Sequence, residues 1–198
     1  LRASGTSGAP ITFGAYGNGA DPVFTNGQNG FTANGNDHVV VRDIQITNMR
    51  GAGIIGFGAN NWTIDNVTVD GVGKNHVAGD NEFSAFQFRD SSNLIIQNSS
   101  YKNVVGDGVF LWDVDNVKIL NNHFDTPWGE NADNLHTYLM SNYEIRGNVM
   151  SFAGSTNSGK GNMVVQESVN GVIAENTLIL TGHGHYGIGG SIENGLVE

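Results

Sequence analysis

The stretch Asn116-Val-Lys-Ile-Leu120 decides the fold, because its pattern returns at intervals along most of the chain. A small polar residue opens the unit, and apolar side chains follow at its second and fourth places. This period of two is typical of a β-strand that buries one face. The other copies, each beginning with Asn or His, are His38–Arg42, Asn61–Asp65, Asn93–Gln97, Asn142–Arg146, Asn170–Ala174 and Asn194–Glu198.

The spacing of these copies indicates a solenoid. Successive copies begin 23, 32, 23, 26, 28 and 24 residues apart, which fits a short unit with insertions on one side. A β-propeller repeat runs longer, a β-sandwich has no fixed period, and a left-handed β-helix has hexapeptide repeats that this sequence lacks. The sequence therefore predicts an all-β fold, a right-handed parallel β-helix solenoid of about seven to eight rungs.

Aligning the copies places like residues in columns. Apolar residues fill the columns one, three and eight places after each start, and those seven and five places before the next start. A parallel stack would bring them over one another at the strand spacing of ~4.8 Å. Because Asn tolerates turn dihedrals and its amide can bond to the next rung, columns of Asn predict structural corners. Two such columns occur, Asn66, Asn98 and Asn121, then Asn122, Asn148 and Asn176.

The length of 198 residues suffices for one domain, and no linker-like stretch divides it. We expect residues 1–198 to form a single β-helix domain. The last copy stops at Glu198, partway through a rung and without a polar cap, and open solenoid ends are prone to aggregate. We therefore expect that the domain is part of a longer chain or that a partner covers this end. The repeat pattern does not indicate which oligomeric state the protein has.

Charge and composition exclude several classes of function. The chain has 19 acidic and 9 basic residues, a formal net charge of −10, whereas a phosphate-binding surface needs clustered Lys and Arg. We expect no nucleic-acid partner, although a few local bases would suffice for an acidic polysaccharide. No apolar run is long enough to span a bilayer, so we expect no membrane insertion. The lack of cysteine excludes disulfides, Cys-ligated zinc and thiol catalysis.

Two carboxylates fall in one outward column. Asp107 and Asp133 each lie nine residues before the next copy, so a parallel stack would put them one rung apart. That separation is within reach of the carboxylate pairs of glycosidases. Their mutual repulsion would keep one protonated, an acid beside a base. Both lie in turn-like sequences, Gly106-Asp107-Gly108 and Asp133-Asn134, so a turn role alone is the alternative.

Other side chains of the same predicted face suit a sugar. Trp112 and Tyr138 are aromatic residues in an outward column, and their rings fit the apolar faces of sugar rings. His136 is the candidate general base or sugar-bonding residue, and Arg89 is the candidate for holding a sugar or its carboxylate. An ordinary surface histidine and an Arg89 paired with a neighbouring Asp are the alternatives.

A glycine-rich segment late in the chain, Gly182–Gly187, carries His183 and His185. Two histidines at this spacing can bind metal, but no further ligands are evident, so we predict no metal site. With Lys160 from the preceding insertion, these histidines are expected to extend a substrate groove. No EF-hand loop or Gly-Gly-x-Gly-x-Asp repeat occurs. We expect that no cofactor is required, with calcium, for which acidic residues and Asn are numerous, as the alternative.

Through its rung pattern the chain resembles the pectate-lyase-like superfamily of right-handed parallel β-helices, which includes secreted bacterial polysaccharide-active proteins. The resemblance covers nearly the whole chain, and Ser7–Val23 is similar to the first coil of many secreted members. Gly182-His183-Gly184 is similar to the Gly-His-Gly of polygalacturonases, but their consecutive Asp-Asp is missing. Asp133-Asn-Leu-His136 is loosely similar to the Asp-Pro-His of alginate epimerases, and the Asp/Arg set of calcium pectate lyases is absent.

These observations predict an extracellular polysaccharide-degrading enzyme that works in a groove on the outer face of the solenoid. A glycoside hydrolase is slightly preferred, because paired carboxylates are the strongest chemistry present. In a β-eliminating lyase the base would be His136, Tyr138 or Lys160, with Arg89 neutralising an acidic sugar. Since fold alone does not choose a function, the alternative is a non-catalytic adhesin, fibre or surface-layer segment that binds glycans or serves structurally.

Overall fold

The chain winds short parallel strands around one axis. The computed structural model describes residues 1–73, 83–125, 127–128, 132–154, 161–182 and 186–198. These residues contain no helix of the length and hydropathy needed to cross a bilayer. Their strands, in chain order, are β1 (Ile11–Phe13), β2 (Val23–Thr25), β3 (Phe31–Asn34), β4 (Val39–Thr47), β5 (Ile54–Phe57), β6 (Trp62–Val72), β7 (Phe86–Gln97), β8 (Ser100–Val104), β9 (Val109–Leu120), β10 (His123–Asp125), β11 (Asp133–Tyr138), β12 (Ser141–Arg146), β13 (Val149–Gly154), β14 (Gly161–Val169), β15 (Val172–Ala174), β16 (Thr177–Gly182), β17 (Tyr186–Glu193) and β18 (Leu196–Val197).

The strands form three parallel sheets that run along the axis. The first sheet contains β1, β4, β6, β7, β9, β12, β15 and β18 in that order. The second contains β2, β4, β6, β8, β10, β13 and β16. The third contains β3, β5, β7, β9, β11, β14 and β17. Eight strands among the described residues of the first sheet agree with the predicted seven to eight rungs.

The predicted columns are confirmed over most of the stack. In the first sheet Trp62 lies beside Leu94, which lies beside Val117. In the second sheet Phe124 lies between Tyr101 and Met150. These residues are buried and form one continuous apolar core along the axis. Removing each large apolar side chain from water stabilises the fold by about 1.5–3 kcal/mol.

The last rung departs from the prediction. The columns seven and five places before Asn194 predicted that Gly187 and Gly189 lie beside Met163 and Val165. In the structure, Met163 lies beside Ile188 and Val165 lies beside Gly190. The register of β14 and β17 shifts between Val165 and Ser168, where β14 has one residue more than β17. Such a β-bulge adds an unpaired residue to one strand, which a fixed offset cannot anticipate.

The predicted asparagine ladder forms one corner of the stack. The side-chain oxygen of Asn148 accepts from the backbone and side-chain amides of Asn122, both at 2.9 Å. The Asn148 amide donates to Oδ1 of Asn176 at 2.9 Å and to the backbone oxygen of Ile119 at 2.8 Å. In the column before it, Asn98 has a φ of 51°, in the left-handed region that Asn tolerates. Both Asn columns therefore have the structural role that the sequence predicted.

Replacing Asn148 with Ala should lower the free energy of unfolding by about 2–4 kcal/mol, because the buried donors and acceptors around it lose their partners. Urea titration followed by circular dichroism measures the change. The exposed Asn18→Ala is the control, and it should change the free energy by less than about 0.5 kcal/mol. Equal effects of the two substitutions would contradict the ladder's role.

Candidate active site

The outward face of the third sheet carries four of the residues that the sequence predicted for the site, Arg89, Trp112, His136 and Tyr138. Inward residues of β7, β9 and β11, such as Phe88, Leu111 and Leu135, are fully buried, so the alternate residues face outward. Register places these outward residues side by side in two columns. We call this surface the candidate face, and its members are Gln87, Arg89, Phe110, Trp112, His136 and Tyr138.

Aromatic rings cover much of the candidate face. The rings of Trp112 and Tyr138 meet edge to face, with centroids 5.1 Å apart, and those of Phe110 and His136 meet in the same way at 5.4 Å. Edge-to-face contacts are a favoured arrangement of aromatic pairs. Trp112 remains 42% exposed. The face therefore offers solvent a continuous aromatic surface rather than isolated rings.

Arg89 lies against this surface. Its guanidinium carbon is 5.0 Å from the centroid of the Phe110 ring and 5.4 Å from that of Trp112, within cation–π range. Its Nε atom is buried and has no hydrogen-bond partner among the described residues. The ion pairs found in the described part of the chain do not include Arg89, so stacking rather than a neighbouring Asp holds it.

Asp107, Asp133 and His136 meet beside the candidate face. Oδ1 of Asp107 accepts the backbone N–H of Asp133 at 2.8 Å, and Oδ2 of Asp107 lies 3.1 Å from Nδ1 of His136. One carboxylate or ring atom from each of the three residues lies within 4.8 Å of the others. Parallel stacking thus brings together residues that are up to 29 positions apart in sequence.

The two carboxylates are interior, and the imidazole is the member of the cluster that reaches solvent. Asp107 and Asp133 are 6% and 1% exposed, whereas the His136 side chain is 25% exposed. Nε2 of His136 lies 3.4 Å from Oε1 of Gln166 in the next rung. The bond from the Asp133 backbone to Asp107 ties two rungs together, so Asp107 has a structural role between rungs.

Tyr186 reaches the cluster from two rungs away. Its hydroxyl donates to Oδ1 of Asp133 at 3.2 Å. Gly161 lies between the two residues in register, and a Cβ at this position would collide with the backbone oxygen and ring of Tyr186. Tyr186 is not among the residues that the sequence predicted for the site. The sequence feature that could have indicated this contact is Gly161, which lies in the same column as Asp107 and Asp133 and leaves room for a side chain from the next rung.

A buried polar network supports the strand that carries Asp133 and His136. The Tyr101 hydroxyl donates to the backbone oxygen of Asn134 at 2.9 Å, and the Asn134 amide donates to Oδ1 of Asn162 at 2.8 Å. Gly108 makes this arrangement possible, because a Cβ there would collide with the Tyr101 hydroxyl. The repeat pattern did not predict this network.

The surroundings of the cluster keep the Tyr186 hydroxyl neutral and favour the charged form of the His136 imidazole. Burial lowers the pKa of His136, but the hydrogen bond and charge of Asp107, with smaller effects of Gln166 and Asp133, outweigh burial, so the pKa lies above its ordinary value. Burial and the charge of Asp133 raise the pKa of Tyr186 well above its ordinary value. A hydrogen bond with Glu167 raises the pKa of Tyr138. Both phenols therefore remain donors at neutral pH.

The cluster does not fit calcium, the ion that the sequence left as an alternative. Calcium takes about six to eight oxygen ligands, whereas the described cluster offers two carboxylates and a ring nitrogen. Internal donors already engage both oxygens of Asp107 and Oδ1 of Asp133. The cluster is best described as a hydrogen-bonded network. That no cofactor is required stays a prediction.

Six of the nine predicted site residues lie together on or beside the candidate face: Asp107, Asp133, His136, Arg89, Trp112 and Tyr138. The other three, Lys160, His183 and His185, fall outside the described residues. Their predicted part in extending the groove stays a prediction.

Comparison with protein families identifies the fold's family. A family model described as "Right handed beta helix region" matches residues 15–150. The chain belongs to this family. The predicted handedness and solenoid architecture are thereby confirmed. No curated protein matches the sequence of this β-helix protein at a significant level.

Two solved structures share the fold of this β-helix protein at low sequence identity. PfbA, a surface adhesin of Streptococcus pneumoniae, is 15% identical with a TM-score of 0.55, over 84% of this chain and 48% of the adhesin. The lacto-N-biosidase from Eubacterium ramulus is 12% identical with a TM-score of 0.53, over 100% of this chain and 59% of the enzyme. The chain thus spans about half to three-fifths of these proteins, and the likeness establishes the fold alone.

Replacing Asp107 with Asn should lower the pKa of His136 in this β-helix protein. The substitution removes the negative charge and one of the two acceptor oxygens that together raise the pKa of His136, and it leaves burial, which lowers that pKa. Two-dimensional NMR of the imidazole nitrogens follows the titration, with His136→Gln to assign the signal. Asp21→Asn, far from the cluster in sequence, is the control. An unchanged His136 midpoint in Asp107→Asn would contradict the coupling.

Proposed function

We propose that the chain is an extracellular polysaccharide-active enzyme that binds glycan on the candidate face and transfers a proton through His136. The observation that supports this most is the pairing of His136 with the buried Asp107, beside the half-buried rings of Phe110 and Tyr138 and the exposed ring of Trp112. A carboxylate behind an imidazole fixes its orientation and tautomer. Aromatic surfaces beside such a pair suit the apolar faces of sugar rings.

His136 is suited to act as a general base. Asp107 lies at Nδ1, which leaves Nε2, 3.4 Å from Oε1 of Gln166, as the ring atom that takes the proton from substrate. Only the neutral imidazole can accept a proton, so the active fraction grows as the pH rises through the raised pKa of His136. The proposed reaction therefore has an acidic limb governed by His136.

Burial of the two aspartates favours a lyase over the hydrolase that their pairing first suggested. In a glycosidase both carboxyl groups flank the scissile bond and contact the sugar, but here both are interior. In β-elimination, Nε2 of His136 takes the proton from the carbon next to the sugar carboxylate. The electrons of that C–H bond form the new double bond as the bond to the glycosidic oxygen breaks. Solvent gives a proton to the leaving oxygen, and His136 then returns the proton it took to solvent.

The remaining groups of the candidate face bind the chain of sugars. Trp112 and Tyr138 stack against sugar rings, and Arg89 pairs with a carboxylate. Arg89 is two rungs from His136, so this carboxylate belongs to a neighbouring sugar unit. The proposed substrate is accordingly an acidic polysaccharide. An extracellular location follows from such a substrate, and the neighbour PfbA is itself a surface protein.

Two observations favour other candidates. The approach of Asp107 and Asp133 to within 4.8 Å favours a hydrolase, if both side chains become accessible to substrate. The likeness in fold to PfbA, a surface adhesin, favours the non-catalytic adhesin that the sequence left as an alternative. Products distinguish the three candidates, because a lyase makes an unsaturated sugar, a hydrolase makes new reducing ends without unsaturation, and a binding protein makes neither.

Incubation with a panel of uronate-containing polysaccharides should give products that absorb in the ultraviolet, as the double bond formed by elimination requires. Chromatography and a reducing-end assay run in parallel. Reducing ends without ultraviolet absorption would replace the lyase with the hydrolase. Binding with neither product would replace both with the non-catalytic protein.

Replacing His136 with Gln should lower kcat by about 10²- to 10⁴-fold, because the general base is lost while a hydrogen-bonding side chain remains. Initial rates on the polysaccharide that the protein degrades best measure the loss. The control is His123→Gln, an exposed histidine in the second sheet. A His136→Gln variant with full activity would exclude His136 as the base.

A further inference from the structure

We propose that the bound glycan runs along the solenoid axis and that Phe57 forms a further sugar-stacking subsite, two rungs beyond Trp112. This inference rests on the proposed function, since it assigns the direction and reach of the chain bound at the same face. Phe57 lies in β5, whereas the residues of the candidate face lie in β7, β9 and β11.

Register places Phe57 in one axial column with the binding groups. Phe57 lies beside Arg89, Arg89 beside Trp112, and Trp112 beside Tyr138. Alternation along β5 points Phe57 outward, because its neighbours Ile54 and Gly56 face the core. The column therefore presents an aromatic ring, a guanidinium and two further aromatic rings in succession along the axis.

Exposure gives this column a continuous surface suited to sugars. Phe57 is 37% exposed and Trp112 is 42% exposed, and Arg89 lies between them with its guanidinium against the ring of Trp112. A single exposed apolar side chain needs no explanation, but one that continues an aromatic face does. The ring of Phe57 extends the apolar surface past the cation.

The spacing of the column matches a chain of sugars. At ~4.8 Å per rung, Phe57 is about 10 Å from Trp112 and about 14 Å from Tyr138 at the backbone. A sugar unit in an extended chain is of similar length to one rung. A tetrasaccharide therefore spans the column from Tyr138 to Phe57, with its second or third unit over Arg89.

Charge disfavours the other direction, in which the glycan follows the strands. From Trp112 such a path meets Asp113 and Asp115, which are both exposed. Like charges would repel an acidic glycan along that path. The axial path instead meets Arg89, whose charge is of the opposite sign, and reaches an acidic residue at the Tyr138 end of the column, where Glu167 bonds to Tyr138.

Isothermal titration calorimetry with a ladder of oligosaccharides tests the proposal. The ladder, from disaccharide to hexasaccharide, is cut from the polysaccharide of the panel that the protein degrades or binds best. The His136→Gln background prevents turnover. Phe57→Ala should weaken binding of the tetrasaccharide and longer chains by about three- to tenfold and leave the disaccharide, which cannot span Trp112 and Phe57, unchanged.

Matched variants separate the possible failures. Trp112→Ala should weaken binding at every length, Phe57→Tyr should restore the binding of long chains, and the fully exposed Tyr16→Ala should have no effect. A Phe57→Ala variant with unchanged affinity at every length, while Trp112→Ala binds weakly, would overturn the axial path and leave the proposed function intact. Absence of binding by the parental protein to every polysaccharide of the panel would overturn the proposed function itself.

Discussion

In-register hydrogen bonding between successive rungs is the constraint on which the rest of the molecule depends. Backbone bonds such as that from Gly108 to Asp133, 2.9 Å long, join each rung to the next. Because the pairing is parallel, residues in equivalent places become neighbours whatever the length of the intervening insertion. The candidate face exists for this reason, since Trp112 and Tyr138 touch across 26 positions of sequence.

The same ladder explains how two carboxylates are accommodated inside the stack. A buried charge is costly unless hydrogen bonds compensate it. Asp107 accepts from the next rung's backbone and lies against His136, while Asp133 accepts from Tyr186, two rungs away. These bonds stabilise the fold and also set the orientation and pKa of the imidazole. In this protein the bonds that stabilise the stack are therefore the same bonds on which the proposed chemistry depends.

Sequence patterns predicted the fold and the neighbourhood of the site because both follow from a repeat of fixed period. The pairing of Leu94 with Val117, and the approach of Asp107 to Asp133, needed only that equivalent places stack. Features that depend on departures from the repeat were missed. A bulge in β14 shifted the last rung, and Tyr186 reaches Asp133 only across a rung whose residue, Gly161, lacks a side chain.

The repeat pattern also did not predict that the carboxylates of Asp107 and Asp133 are buried. A column position says which residues are neighbours, but not whether a turn directs a carboxylate into the stack or toward solvent. Hence the pairing of Asp107 and Asp133 first favoured a hydrolase, whereas their burial transfers the proposed chemistry to His136. The aromatic column was predictable because alternation alone directs Trp112 and Tyr138 outward.

A crystal structure of the His136→Gln variant with an acidic oligosaccharide is the most direct test that the outward face of the third sheet is a glycan site. We expect sugar rings stacked on Trp112 and Tyr138, with one unit over the side chain at position 136. Sugar bound instead in the groove of the second sheet lined by Lys102, His123 and Asp125 would contradict the assignment of the site.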